Sequence, residues 1–172
     1  VSSEPFHFTS TGKGCTVDSH NVVGILPGRT DEFILLTCHH DAPFASAVED
    51  ASGLSVLLAL AETFARSKEP LERGLVFLAS SGHFHGGIGC RKFVDKHRGG
   101  LLEKIVAAIG VEHIAEEVQG DANGGYVKTG QAETRALFMD KTPELLRIVK
   151  EEVQRVDLSR TLAVDAYLFG SE

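Results

Sequence analysis

Short, nearly continuous apolar runs recur along the chain and are the clearest structural signal in the sequence. Each has the length of a buried β-strand, and the first is closed by a Pro-Gly turn. We predict strands over residues 21–26, 33–38, 74–79 and 105–111. After a turn-rich stretch at residues 121–125, a weaker pattern over residues 126–139 predicts one or two further short strands.

Between these runs, hydrophobic positions recur with helical spacing. Over residues 52–66 they cover more than one face, which predicts a largely buried helix. A second helix is predicted over residues 86–97. A third helix is expected to be capped by Thr142, with Pro143 at its first position and an apolar stripe that reaches Val156.

The order of these elements predicts the fold class. Strands that alternate with helices are typical of an α/β domain, with a mainly parallel or mixed sheet flanked by helices on both faces. In such folds ligands bind beyond the carboxyl ends of the strands. The whole chain, residues 1–172, has the length of one domain with a substantial core.

The charge balance narrows the choice of partners. The chain has 17 basic and 24 acidic residues and a formal net charge of −7. Nucleic acid and anionic membrane surfaces bind through clustered lysine and arginine, so neither is expected as a partner. A neutral or cationic ligand is favoured.

Three cysteines lie far apart, at Cys15, Cys38 and Cys90. They form no C-x-x-C pair, so neither a disulfide framework nor a thiolate zinc cage is predicted. No apolar run is long enough for a membrane span, and no targeting signal is visible. We expect a soluble protein, with its compartment and its oligomeric state left open.

Metal-binding side chains follow the predicted strands, where the carboxyl ends of a parallel sheet would bring them together. Imidazole and carboxylate are the ligands of catalytic zinc, and their convergence from several strands leaves coordination positions open for water and substrate. A single such residue is more often an ordinary surface side chain, so the shared location carries the argument. The residues are His39, Asp41, Glu49, Asp50, His83, His85, Glu112 and His113.

Four segments in this order resemble motifs of the dizinc aminopeptidase family, which includes bacterial leucyl aminopeptidases and relatives of glutamate carboxypeptidase. The segments are Asn21-Val22-Val23-Gly24, His39-His40-Asp41, Glu49-Asp50-Ala51-Ser52-Gly53 and Gly86-Gly87-Ile88-Gly89-Cys90-Arg91. The second resembles the family's H-x-D motif, and the third resembles its D-[DN]-x-S-G motif at the start of a buried helix. The resemblance implies a zinc-exopeptidase-like fold.

The resemblance also implies residue roles. His39 would bind the first zinc, and Asp41 would orient that histidine. Glu49 stands where the family has an aspartate that bridges two metals, and Glu112 stands where an aspartate completes the first site. Both acids are one methylene longer than the family's residue, which keeps the ligand type but displaces the carboxylate. One zinc ion is implied, or two.

The segment over residues 82–85 departs from the family, which has two adjacent glutamates there. His83 takes the position of the general base, which an imidazole not bound to metal can serve, and Phe84 takes the position of a second-zinc ligand. His85 is a candidate substitute ligand. The family's last ligand is a late histidine, whereas no histidine follows His113 here, so we expect a chain that lacks the C-terminal part of the family domain.

His113 is expected to point away from the site, because side chains alternate along a strand. The leading hypothesis is a zinc-dependent aminopeptidase-type hydrolase that cleaves N-terminal residues from peptides, or from small amino-acid-derived substrates, by metal-activated water. The alternative is a catalytically inactive peptidase-like domain that acts as a binding or interaction module. A glutaminyl-cyclase-like acyltransferase is less favoured, because the glutamate and late histidine of that resemblance are missing.

Overall fold

A four-stranded mixed sheet forms the centre of the molecule in the computed structural model, which describes residues 7–44, 46–140, 142–158 and 160–165. Its strands are β1 (Val22–Leu26), β2 (Phe33–His39), β3 (Gly74–Ser80) and β4 (Ile105–Gly110), in the order β1-β3-β2-β4. The three strands β2, β3 and β4 run parallel, and β1 is antiparallel to β3. The predicted mixed α/β fold is confirmed.

The two faces of this sheet are covered by different helices because side chains alternate along each strand. Helix α1 (Gly53–Ala65) packs through Leu57 on the face formed by Leu36, Cys38, Leu75, Phe77 and Ala79. Helix α2 (Ile88–His97) packs through Phe93 on the opposite face, which Leu35, Val76 and Leu78 form. The apolar runs of β2 and β3 therefore supply both halves of the core.

Helix α1 is less buried than its sequence predicts. Leu57 is 3% exposed, whereas the neighbouring Leu58 is 62% exposed, so one face alone meets the sheet. Helix α2 begins at Ile88 rather than at Gly86, because Gly86 and Gly87 adopt left-handed φ angles of 75° and 62°. Such angles interrupt a right-handed helix.

The remaining elements lie after β4 in the chain. Strands β5 (Glu116–Gly120) and β6 (Tyr126–Ala132) form an antiparallel pair. Strands β7 (Arg135–Met139) and β8 (Thr161–Asp165) form a parallel pair, and α3 (Pro143–Arg155) connects them in sequence. Thr142 occupies the predicted cap position of α3, but its side chain makes no capping hydrogen bond.

None of the three cysteines, all within the described ranges, forms a disulfide. Among the helices that the structure describes, none combines the length and the apolar character needed to cross a membrane.

Candidate metal centre

His39 is the last residue of β2 and lies beside Ser80, the last residue of β3. Its side chain is fully buried. The ring Nδ1 lies 2.7 Å from the backbone carbonyl oxygen of Asp41, an acceptor, so Nδ1 carries the proton and donates it. The Nε2 lone pair of the neutral ring is therefore directed away from Asp41.

The Nε2 atom of His39 faces the carboxylate of Glu49, at 3.1 Å from Oε1. An unprotonated imidazole nitrogen and a carboxylate oxygen are both acceptors, and two acceptors at this distance repel each other. A proton on Nε2 or a cation between the two atoms removes the repulsion. A metal ion coordinated by both atoms satisfies this arrangement without a buried imidazolium.

Glu49 reaches the site from an irregular turn, Ala47–Ser52, that leads directly into α1. Glu49 and Asp50 have non-helical backbone angles within this turn, and the peptide bond between them is cis. Glu49 Oε1 lies between two imidazoles, 3.1 Å from Nε2 of His39 and 3.9 Å from Nε2 of His83. One carboxylate oxygen therefore faces two nitrogen ligands.

His83 enters the site from a single 3-10 turn, His83–His85, after β3. Its ring stacks on that of His39, with centroids 4.1 Å apart and an angle of 15° between planes. The backbone N–H of His83 donates to the Oδ1 carboxylate oxygen of Asp41 at 3.2 Å. Asp41 thus positions both histidines: His39 through its carbonyl and His83 through its carboxylate. The carboxylate itself lies 3.9 Å from the ring of His39.

Ligand atoms from His39, Glu49 and His83 all lie within 4.8 Å of one another, the only such group of three in the described part of the chain. Two imidazoles and one carboxylate form the donor set of many catalytic zinc sites. The set also leaves coordination positions for water and substrate. The ligand types, the tautomer of His39 and the spacing of the three ligand atoms all fit a zinc ion.

Asp50 lies behind this group and is 2% exposed. The backbone N–H of Gly53 donates to Oδ1 at 3.1 Å, while Oδ2 has no hydrogen-bond partner. Burial raises the pKa of Asp50 above its usual value, and the charge of Glu112 acts in the same direction, although the N–H of Gly53 opposes it. Glycine is required at position 53, because a Cβ there would lie 2.2 Å from the carbonyl oxygen of Val111.

Two predicted ligands lie outside the three-residue group. Glu112 follows β4 and is half-buried, and its charge reaches Asp50, but it does not join His39 and Glu49 in the group. His85 is exposed and lines a separate groove. Phe84 offers no ligand atom and instead meets the ring of His39 edge-on, at 5.7 Å between centroids.

The prediction for His113 is wrong. Strand β4 ends at Gly110, and His113 adopts a left-handed φ of 52°, so the alternation of a strand no longer applies. Its Nε2 contacts Oε2 of Glu49. The following residue, Ile114, donates its N–H to Oγ of Ser52 at 3.0 Å and fixes the turn against the start of α1. Each oxygen of Glu49 therefore faces an imidazole.

Solved structures with a similar fold support this architecture. A peptidase M28 precursor from Shewanella amazonensis matches 85% of the chain with 18% identity and a TM-score of 0.61. Legionella LapA matches 84% with 16% identity and a TM-score of 0.61. A glutaminyl cyclase from an Acidobacteriales bacterium matches 84% with 18% identity and a TM-score of 0.56. The matched region spans 30%, 39% and 51% of these three structures.

A search of curated proteins finds no significant match. The model of peptidase family M28 matches residues 21–161, which include every strand of the central sheet and every residue of the metal centre. This match agrees with the resemblance to dizinc aminopeptidases. The chain belongs to peptidase family M28.

Proposed function

We propose that this domain is a zinc-dependent peptide hydrolase of the aminopeptidase type. Family membership supports a peptidase-type function, and family M28 is generally zinc-dependent. The observation that carries the proposal is the convergence of His39, Glu49 and His83 on one small volume at the carboxyl ends of β2 and β3. Parallel strands present ligands at this edge of a sheet.

His39, Glu49 and His83 would hold the ion through Nε2, Oε1 and Nε2. A zinc ion bound there supplies an activated water and polarises the carbonyl of the scissile bond. The protein's own contribution is to fix these donors before the ion arrives. The Asp41 carbonyl sets the tautomer of His39, and the Asp41 carboxylate holds the backbone of His83. Ligands held in this way keep their geometry.

His83 has two conceivable roles, and the geometry favours metal binding. Its Nε2 faces the same oxygen of Glu49 as His39 does, as expected of two ligands that share one ion. A histidine bound to zinc cannot also accept the proton of the attacking water. The family's glutamate base is then unreplaced, and we expect turnover about 10²–10⁴-fold below that of an enzyme with a positioned base.

The partly exposed carboxyl groups beside the centre suit a substrate with a free α-amino group. Asp41 and Glu112 are half-buried and lie close to the candidate zinc ligands, whereas Asp50 is buried and its raised pKa weakens its charge. A protonated amine is attracted by such a surface, and a neutral N-acyl peptide is not. The proposal therefore specifies cleavage at the N-terminus of a peptide.

The direct experiment measures zinc by mass spectrometry in protein purified without chelator and then assays release of p-nitroaniline from aminoacyl-p-nitroanilides. Bound zinc together with zinc-dependent release supports the proposal. His83→Ala should lower both, while the matched His7→Ala should lower neither, because His7 is exposed and lies outside the group. Zinc no higher than the buffer blank, before and after zinc is added, would overturn the proposal.

A second candidate is an inactive binding module, and Phe84 favours it. Phe84 is 50% exposed, stands where the family carries a second-zinc ligand, and supplies no donor. Bound zinc without hydrolysis of any aminoacyl substrate would support this candidate. The same samples can be tested for cyclisation of N-terminal glutamine, because one structure of similar fold is a glutaminyl cyclase.

A further inference from the structure

A groove of about 740 Å³ lies between α2 and the extended segment over residues 15–21. This volume is within the range of about 300–1,000 Å³ that is usual for ligand pockets. The groove is separate from the candidate zinc ligands, none of which lines it. We call it the α2 groove.

Asn21 connects the extended segment on one side of the α2 groove to the residues around the start of α2 by hydrogen bonds. The Asn21 side-chain amide donates to the carbonyl oxygen of Gly89 at 2.8 Å and accepts from the N–H of Ser81 at 3.1 Å. Gly89 allows this close approach, because a Cβ there would lie 2.2 Å from the carbonyl oxygen of Ser81. Glycine at position 89 is therefore required by the packing that forms the groove.

The charge of the α2 groove is opposite to that of the chain. Lys92 and Lys96, which share one face of α2 at i and i+4, both line it, and so do His20, His85 and His97. Asp18 is the only acidic residue among the described residues of the lining. The whole chain nevertheless has a formal net charge of −7.

The two groove lysines, unlike Lys104 and Lys128, make no ion pair with any residue that the structure describes. Lys104 lies 2.7 Å from Asp31, and Lys128 lies 3.4 Å from Glu116. The groove also has an apolar component, because Phe93 forms part of the floor and Ile88 is 46% exposed. Unpaired cations beside an apolar floor are complementary to an anionic group attached to an apolar one.

The α2 groove begins where the candidate zinc centre ends. The 3-10 turn His83–His85 presents His83 to the centre and His85 to the groove, and Ser81 and Gly82 also line the groove. Residues two apart are separated by at most about 7 Å along the backbone. A peptide bound at the centre can therefore extend along this turn toward the groove.

We propose that the α2 groove binds the part of a peptide substrate that follows the scissile bond, and that it selects acidic side chains there. The inference rests on the proposed peptide hydrolysis and adds a substrate class to it. It also refines the expectation of a neutral or cationic ligand: the amino end of the substrate is cationic and its following residues are acidic. The recognition is electrostatic, so it weakens with ionic strength.

The test uses fluorescein-labelled peptides that begin with leucine and continue with aspartate and glutamate, against peptides with asparagine and glutamine at those positions. Fluorescence anisotropy measures binding to the zinc-supplemented protein. We expect about tenfold tighter binding of the acidic peptide at low salt, since two exposed ion pairs of ordinary strength amount to about that factor. The preference should disappear in Lys92→Gln/Lys96→Gln.

The matched control is Lys68→Gln/Lys150→Gln, which removes the same charge outside the groove and should keep the preference. Circular dichroism shows whether each variant folds. Equal preference in the two double variants would overturn the inference, and so would inorganic phosphate that displaces the acidic peptide at equal concentration. Preference without hydrolysis would retain the groove assignment and refute the proposed function. Hydrolysis without acidic preference would support the proposed function and refute the groove assignment.

Discussion

His39 and Glu49 face each other at 3.1 Å, nitrogen to oxygen, although the opposite ring nitrogen of His39 already donates to the Asp41 carbonyl. Nε2 of His39 and Oε1 of Glu49 are therefore two acceptor atoms that face each other. The ring of His83 is stacked on that of His39, and its Nε2 atom is directed toward the same carboxylate oxygen of Glu49. The arrangement has the chemistry of a metal site, and the following predictions test its parts.

Removing His83 should weaken zinc binding selectively. His83 is partly exposed, so His83→Ala leaves the fold intact while it removes one of three ligands. We expect zinc affinity to fall by more than the factor of about 10–100 that loss of an outer-shell partner costs. Competition titration with a chromophoric chelator measures this, and His85→Ala is the control. Equal affinities of the two variants would show that His83 is not a ligand.

The length of the Glu49 side chain should affect the affinity for zinc. Glu49→Asp withdraws the carboxylate by one carbon–carbon bond, about 1.5 Å, from the positions of His39 and His83. Although it restores the family's residue type, we expect it to bind zinc more weakly than the native protein. Glu49→Gln, which keeps the length but removes the charge, should also bind more weakly. Tighter binding by Glu49→Asp would mean that the observed spacing is not the metal-bound spacing.

His113 should act by positioning Glu49. Its ring contacts Oε2 and thereby keeps Oε1 toward the other two histidines. His113→Ala should lower zinc affinity by about 10–100-fold, and His113→Gln, which retains a donor, should recover part of the loss. The same chelator titration reads out both variants. If the alanine variant matches the native affinity, the contact has no role in metal binding.

Gly53 should tolerate no side chain. The Cβ of Gly53→Ala would lie 2.2 Å from the Val111 carbonyl oxygen and 2.4 Å from Oδ1 of Asp50. We expect the free energy of unfolding to fall by about 1–3 kcal/mol, the usual cost of overpacking. Urea denaturation measures it. Gly24→Ala is the control, because its Cβ would meet Phe77 at an ordinary 3.8 Å. A comparable loss in both variants would contradict the packing argument.

Sequence reasoning located the four strands of the central sheet from their apolar runs, although only β2 and β3 are largely buried and the edge strands β1 and β4 are mostly exposed. It did not identify β5 (Glu116–Gly120), which is polar and partly exposed, or β8 (Thr161–Asp165). Pairing with another strand, which no local pattern reveals, forms both of them.

The sequence placed His39 and Glu49 near each other and the structure brings them together, their role as metal ligands stays a prediction, and the finer geometry depends on the backbone. His39 and Glu49 follow from their positions beside β2 and α1. His113 was misplaced because β4 ends at Gly110, one residue earlier than the predicted strand, and because the left-handed φ angle beyond it is adopted by His113 itself, where no glycine signals it. The opposite directions of His83 and His85 are set by a single 3-10 turn, which is too short to produce a periodic signal.

Anomalous X-ray diffraction at the zinc edge, on crystals of the zinc-supplemented protein, tests the central claim most directly. The account predicts a peak at about 2.0–2.2 Å from Nε2 of His39, Nε2 of His83 and a carboxylate oxygen of Glu49. A peak that is coordinated by other residues, or no peak in a crystal of zinc-saturated protein, would contradict it.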